Sequence, residues 1–260
     1  MTTTKIRYDV SGRTARIILN RPEKRNALDD VLVKELTGAL GAANKDTNVK
    51  VVVLSATGPS FCAGADLDYL SRISKFSLEE NREDSAQLAT LFRTIYELRK
   101  PVIAVVNGPA LAGGCGLASA CDFIIASREK ATFGYTEVHI GFIPAIVMIF
   151  LRKRVGEGVA RELILRGNII DAQQALHIGL VTTVVPEAQL EETVNQLLEE
   201  LLRHNSLTSM ALSKEMFSKL HGMNLMESLD FAANMNAASR MASECKQGIA
   251  AFLNKEKMEW

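Results

Sequence analysis

The sequence predicts an α/β fold that ends in a wholly helical stretch, and three observations predict it. Residues 49–70 (VKVVVLSATGPSFCAGADLDYL) run an apolar, β-branched strand through a glycine-bearing loop into a helix. Residues 101–127 (PVIAVVNGPALAGGCGLASACDFIIAS) repeat that order. From Glu187 onward the apolar residues fall at helical spacing.

Taken in order, residues 6–10 and 14–19 read as two strands around the turn formers Ser11 and Gly12, which makes a hairpin. Asp29 or Asp30 then caps a helix carrying Leu32, Val33, Leu36 and Leu40 on one face. The run Val51 to Leu54 is the next strand, and Asp66 follows the Ala63-Gly64-Ala65 turn where another helix opens. Far downstream, Leu190, Val194, Leu197, Leu198 and Leu201 form one helical stripe, and Leu225, Leu229, Ala232 and Ala233 form another. The composition shifts at His204-Asn205-Ser206. This divides the chain into a core of residues 1–205, which holds the candidate site, and a helical segment of residues 206–260. Most of the methionines lie in that segment, and they suit either irregular core gaps or subunit contacts.

Composition narrows the function. A chain of 260 residues, 47% hydrophobic, can bury a sizeable core. Thirty basic residues balance thirty acidic ones, so no overall charge draws the chain to nucleic acid or to an anionic membrane. Cys62, Cys115, Cys121 and Cys245 show no C-x-x-C spacing and no His/Cys pattern for zinc. No metal and no separate cofactor is expected, and reduced thiols fit a cytoplasmic location. The start MTTTKIRYDVSG has no apolar stretch of a secretory leader, and no apolar run approaches membrane-spanning length.

The two strand-to-helix turns carry the candidate chemistry. Gly113 and Gly114 have no Cβ, so a ligand can approach the backbone there, and the first N–H groups of a helix have no partner within it. Such a turn also occurs with no ligand. Two in one chain, however, could each offer one N–H to the same oxygen, which makes an oxyanion hole from main chain alone.

Five collinear segments give the chain a resemblance to a known family: RPEKRNAL (residues 21–28), SFCAGADL (60–67), NGPALAGGCGLASACDFIIA (107–126), FGYTEVHIGFIP (133–144) and an AxxxGLV stretch (175–181). The chain resembles the crotonase, or enoyl-CoA hydratase/isomerase, family over essentially its whole length. The resemblance implies a superhelical spiral of ββα units followed by a C-terminal helical trimerisation segment, with a homotrimer or a hexamer of paired trimers as the assembly. It implies an acyl-CoA thioester as substrate, with CoA being part of that substrate. Its enolate oxygen would be held by the N–H groups of Ala65 and Gly113, and Glu137 would be the acid/base. The turn bearing Lys24, Arg25 and Ala27 would meet the CoA phosphates and pantetheine. Ala63, Gly64, Asp66 and Gly114 would lie along the CoA body, and Phe252 and Lys255, with Lys257, would reach a CoA from the tail. A carboxyl in the apolar surroundings of Glu137 has its pKa raised, which suits proton transfer near neutrality.

One position departs from the family's two-glutamate hydratases. They carry a second glutamate directly after GGC, where this chain has Gly116. Hydration is simplest with two carboxylates, whereas moving a double bond needs one group that removes and returns a proton. Yet GGCG together with TEVHIGFIPA resembles bacterial hydratases of the methylglutaconyl-CoA type. Hydration of an α,β-unsaturated acyl-CoA is therefore the leading expectation, double-bond isomerisation by Glu137 alone the second, and a noncatalytic CoA-thioester or RNA-binding relative the third. Asp68, Glu79, Glu80, Glu83 and Asp84 are candidates to replace the missing carboxylate. Tyr135 and His139 flank Glu137 at a spacing of two, so an extended segment would put all three on one face and let either orient a water.

Overall fold

The computed structural model describes residues 4–260. Strands β1 (Ile6–Ser11) and β2 (Thr14–Leu19) form the hairpin, with Gly12 supplying the positive φ of 57° at its turn. Asp29 caps α1 (Asp30–Lys45) by accepting the Leu32 N–H. Strand β3 (Val51–Ala56), helices α2 (Leu67–Ile73) and α3 (Leu78–Glu97), and strand β4 (Val102–Val106) follow. The chain then forms β5 (Ala110–Leu111), α4 (Gly113–Ala120), β6 (Phe123–Ser127) and β7 (Thr132–Gly134). Helix α5 (Val147–Arg166) is broken at Gly156, whose φ of 77° no helix contains. Strand β8 (Ile169–Asp171), helix α6 (Ala172–His177) and strand β9 (Thr183–Val185) close the core. Helices α7 (Leu190–Arg203), α8 (Leu207–Lys219), α9 (Leu225–Met241) and α10 (Ser243–Asn254) complete the chain.

The strands build a six-stranded sheet in the order β1-β2-β3-β4-β6-β9, parallel beyond the first hairpin, and a small sheet β5-β7-β8. The unbroken apolar run of β3 has a physical cause, because both faces of the large sheet are covered. Val52 and Leu54 join the main core under α1, α3 and α4, whereas Val51 and Val53 pack with Ile103, Ile125 and the Leu190, Val194, Leu198 and Leu201 stripe of α7. Beyond α7 burial is sparse, with Ala211 on α8 and Ala251 on α10 the buried apolar residues. Leu225 and Leu229 of the second stripe are exposed on α9, with Phe217 on α8 and Phe252 and Leu253 on α10.

Helix α4 runs through the core, and its sequence GGCGLASA explains how. A Cβ on Gly114 would stand 2.1 Å from the Cys62 carbonyl oxygen, so this helix meets the preceding loop backbone to backbone. Arg154 fastens its far end, donating to the carbonyls of Cys121 and Leu180 at 2.8 and 2.6 Å.

Candidate active site

The site grows from a turn at residues 21–28. Asn26 is fully buried in the left-handed conformation (φ 55°). Its amide donates to the carbonyls of Thr57 and Ser60, and its Oδ1 accepts the Arg21 N–H. The turn then zips along the next loop: Ala63 N–H donates to Arg25 O, Leu28 N–H to Gly64 O, and Asp66 N–H to Leu28 O. In that parallel bridge the bonds to Leu28 come from the neighbours of Ala65, so the N–H of Ala65 itself points away from it. Among the described residues it donates to nothing.

Gly113, at the first position of α4, is the counterpart. Its N–H is one of the helix-start donors without an internal acceptor, and the residue before it, Ala112, has no side chain able to cap it. Ala112 sits at φ 49° and ψ −121°, a region suited to glycine, and this strained peptide sets the orientation of the Gly113 N–H. The two donor turns touch. A Cβ built on Gly64 would lie 2.9 Å from the Ala112 Cβ and 3.8 Å from the Gly113 nitrogen.

Glu137 opens a 3-10 turn, Glu137–Ile140, that follows β7. The small sheet brings it beside α4, because β5 and β7 run parallel and the Ala112 N–H donates to Gly134 O at 2.7 Å. Its side chain is 9% exposed and its Oε2 is buried with no hydrogen-bond partner. Burial pushes this carboxyl above the ordinary glutamate range, against a weaker lowering by a backbone hydrogen bond.

The turn also corrects the expectation for its neighbours. Residues 137–140 are coiled and not extended, so Tyr135 and His139 do not share a face with Glu137. Tyr135 is fully buried with its hydroxyl 2.8 Å from Ser119 Oγ, and His139 is exposed beside Gly167. Three of the acidic residues after Asp66 are occupied elsewhere. Asp68 pairs with Lys24 at 2.7 Å, Glu80 completes the capping box of α3, and Asp84 accepts the Tyr69 hydroxyl. Glu79 and Glu83 are exposed. The volume over Gly116 is filled: a Cβ there would be 2.2 Å from Val147 Cγ1 and 3.0 Å from Phe92 Cε1.

Of the other residues singled out in the sequence, Arg25 is exposed, Ala27 is buried, and Lys24 is exposed with its ammonium on Asp68. Asp66 caps α2 through the N–H groups of Asp68 and Tyr69 and pairs with Arg21 at 2.8 Å. Arg21 also holds Asp29 at 2.9 Å, so one guanidinium joins the caps of α1 and α2. Phe252 is exposed on α10, which packs on α9, and Lys255 ends that helix at φ 58°. Cys62, Cys115 and Cys121 are buried thiols pushed up to about 12 by burial, which leaves them protonated and unreactive near neutrality. Among the described residues no cluster of His, Cys, Asp or Glu could hold a metal ion, and no helix is long and apolar enough to cross a membrane.

Sequence reasoning passed over Asn26 and Ala112. An asparagine beside arginine in a turn was the available signal for the first, since asparagine tolerates φ > 0. Nothing in an alanine announces the second.

The sheet order, the helix through the core and the helical tail define a protein of crotonase fold. The chain belongs to the enoyl-CoA hydratase/isomerase family: residues 10–260 match the sequence model described as Enoyl-CoA hydratase/isomerase. A Thermus thermophilus protein that bears an enoyl-CoA hydratase name is 42% identical over 244 residues, 94% of this chain and 96% of that one. The crotonyl-CoA hydratase of Syntrophomonas wolfei is 34% identical over 94% of this chain and 93% of its own. Among solved structures, the enoyl-CoA hydratase from Bacillus anthracis superposes with a TM-score of 0.88 at 33% identity, covering 98% of each chain.

Proposed function

We propose that this chain is an enoyl-CoA hydratase in which Glu137 is the only side chain that moves protons. Glu137 takes a proton from water as the water oxygen bonds to Cβ of the unsaturated thioester. The displaced π electrons collect on the thioester oxygen between the N–H groups of Ala65 and Gly113. The proton then passes from Glu137 to Cα as the carbonyl re-forms, so the sum is one water added. The observation that carries this reading is the buried, unpartnered carboxyl beside a helix start with an uncommitted N–H. Hydration is favoured by the names of the similar proteins. The filled volume over Gly116 favours a second reading, isomerisation of the double bond by the same glutamate.

The GGCG and TEVHIGFIPA segments support a branched, methylglutaconyl-type acyl group. Lys24, Arg25 and Ala27, together with Ala63, Gly64, Asp66 and Gly114, would line the CoA path, Asp66 acting through Arg21 and the α2 cap. Exposed apolar side chains on α8 to α10, Phe217, Leu225, Leu229, Phe252 and Leu253, support a trimer or a hexamer of trimers, in which Phe252 and Lys255 would approach a neighbouring CoA. The balanced charge supports a partner list without nucleic acid or membrane, and the free cysteines support a cytoplasmic setting. Incubation with crotonyl-CoA, 3-methylglutaconyl-CoA and a 3-enoyl-CoA, following water addition against bond migration, tests the reading. Glu137→Gln should cost about 10²–10⁴ in rate for the preferred thioester. Bond migration without water addition would replace hydratase by isomerase, and full turnover by Glu137→Gln would remove both.

A further inference from the structure

Two loops carry the proposed chemistry, and little ties them together. The backbone link is the parallel pairing of β5 with β7, Ala110 beside Phe133 and Leu111 beside Gly134, which ends at the bond from Ala112 N–H to Gly134 O. Past that bond, no further backbone hydrogen bond among the described residues joins the Glu137 turn to α4. The Tyr135 side chain does, with its hydroxyl against Ser119 and the Cys115 thiol of α4. The Tyr135 hydroxyl lies 2.8 Å from Ser119 Oγ, and Ser119 Oγ lies 2.8 Å from the carbonyl of Cys115, one turn back in α4. A serine hydroxyl has a single proton, and donating it to the Cys115 carbonyl leaves Ser119 to accept from the phenol. Tyr135 is 0% and Ser119 5% exposed, so water cannot replace either partner.

We propose that Tyr135 is a positioning residue, and that its hydrogen bond to Ser119 sets the Glu137 carboxyl against the helix that carries the Gly113 N–H. Tyr135 is two residues before Glu137, and Ser119 lies on the same short helix as Gly113. A phenol of that volume could fill the core as phenylalanine. The hydroxyl adds a directional tie, and buried tyrosines keep their hydroxyl bonded because an unpaired one is costly. The proposal rests on the hydratase reading of Glu137.

Tyr135→Phe, Ser119→Ala and the double variant test it on the full-length protein with whichever thioester is turned over fastest. Tyr135→Phe is expected to lower kcat about tenfold to hundredfold, the scale of a small misplacement of reacting groups, with KM within about twofold. Ser119→Ala should match it, and the double variant should be no worse than either, because one bond is removed each time. The acid limb of kcat/KM should move to lower pH in Tyr135→Phe as a looser turn admits water to Glu137. Wild-type kcat and an unmoved acid limb in Tyr135→Phe overturn the proposal, whatever the melting temperature does; if that variant does not fold, the same two readings on Ser119→Ala decide. Glu137→Gln measured alongside keeps the two ideas apart. Full turnover there removes the hydratase reading, whereas an inactive Glu137→Gln beside a fully active Tyr135→Phe removes the clamp alone.

Discussion

Val147 Cγ1 stands 2.2 Å from the point where a Cβ on Gly116 would lie, so the first turn of α5 closes over α4 at the position where a second carboxylate would have to fit. Neither atom can yield cheaply, since Val147 is 4% exposed and Phe92, on the other side, is fully buried.

Gly116→Glu is therefore expected to damage the fold before it can alter the chemistry. Overpacking of this kind costs about 1–3 kcal/mol, and a buried carboxylate adds to it. Gly116→Glu combined with Val147→Gly should recover part of the melting temperature. Water addition that rises in the double variant above wild type would point to a native isomerase; a level at or below wild type would agree with a hydratase working on one glutamate.

The stability of Glu137→Gln relative to wild type should depend on pH in a defined direction, because only the wild type carries the titrating carboxyl. Burial raises the folded carboxyl above 4.5, so the folded state holds its proton more tightly than the unfolded chain. Stability is then complete below the unfolded value and declines as pH rises through the folded one. At pH 7 the glutamine variant should melt higher than wild type, by about 2–4 °C for each kcal/mol recovered, and near pH 4 the two should coincide. Thermal denaturation at both values is the measurement.

Gly113→Pro should delete one donor with α4 intact. Proline's fixed φ suits the first helical position, and its missing N–H is the one the site would use. A loss of about 10²–10³ in kcat with unchanged circular dichroism is expected.

Ala112→Gly should stabilise the protein. An alanine at φ 49° and ψ −121° carries strain of about 1–3 kcal/mol that glycine does not, partly offset by glycine's greater freedom in the unfolded chain. A higher midpoint in urea with kcat preserved is the expected outcome, and a lower midpoint would show that the alanine methyl contributes packing.

Periodicity reached the parts of this fold that repeat. The α7 stripe, the Asp29 cap and the strand-to-helix glycines were all legible, because each depends on residues within a few positions of one another. The small sheet was not, since strands of two or three residues carry no alternation to read. Gly116 announced a missing carboxylate, but that Val147 fills the volume follows only from the packing of two helices. The shared face of Tyr135, Glu137 and His139 fails for a related reason: a spacing of two implies one only where the chain is extended, and Gly141 at φ 72° ends a coil there. Asp66 was legible as a helix opener, while its ion pair with Arg21 depends on the buried Asn26 turn.

An N–H belonging to the peptide bond is beyond the reach of most codon changes. At Ala65 or Gly113 every amino acid except proline retains the group, so if these two N–H groups hold the thioester oxygen as proposed, mutation can reshape the surrounding walls while the donors are inherited unaltered. What selection must protect instead is the path of the chain, held by Asn26, by the contact of Gly64 with Ala112, and by the room that Gly114 leaves for the Cys62 carbonyl. Drift in a lineage of this protein should therefore fall mainly on the side chains that border the acyl group. New substrates can then arise without the reaction centre being invented again.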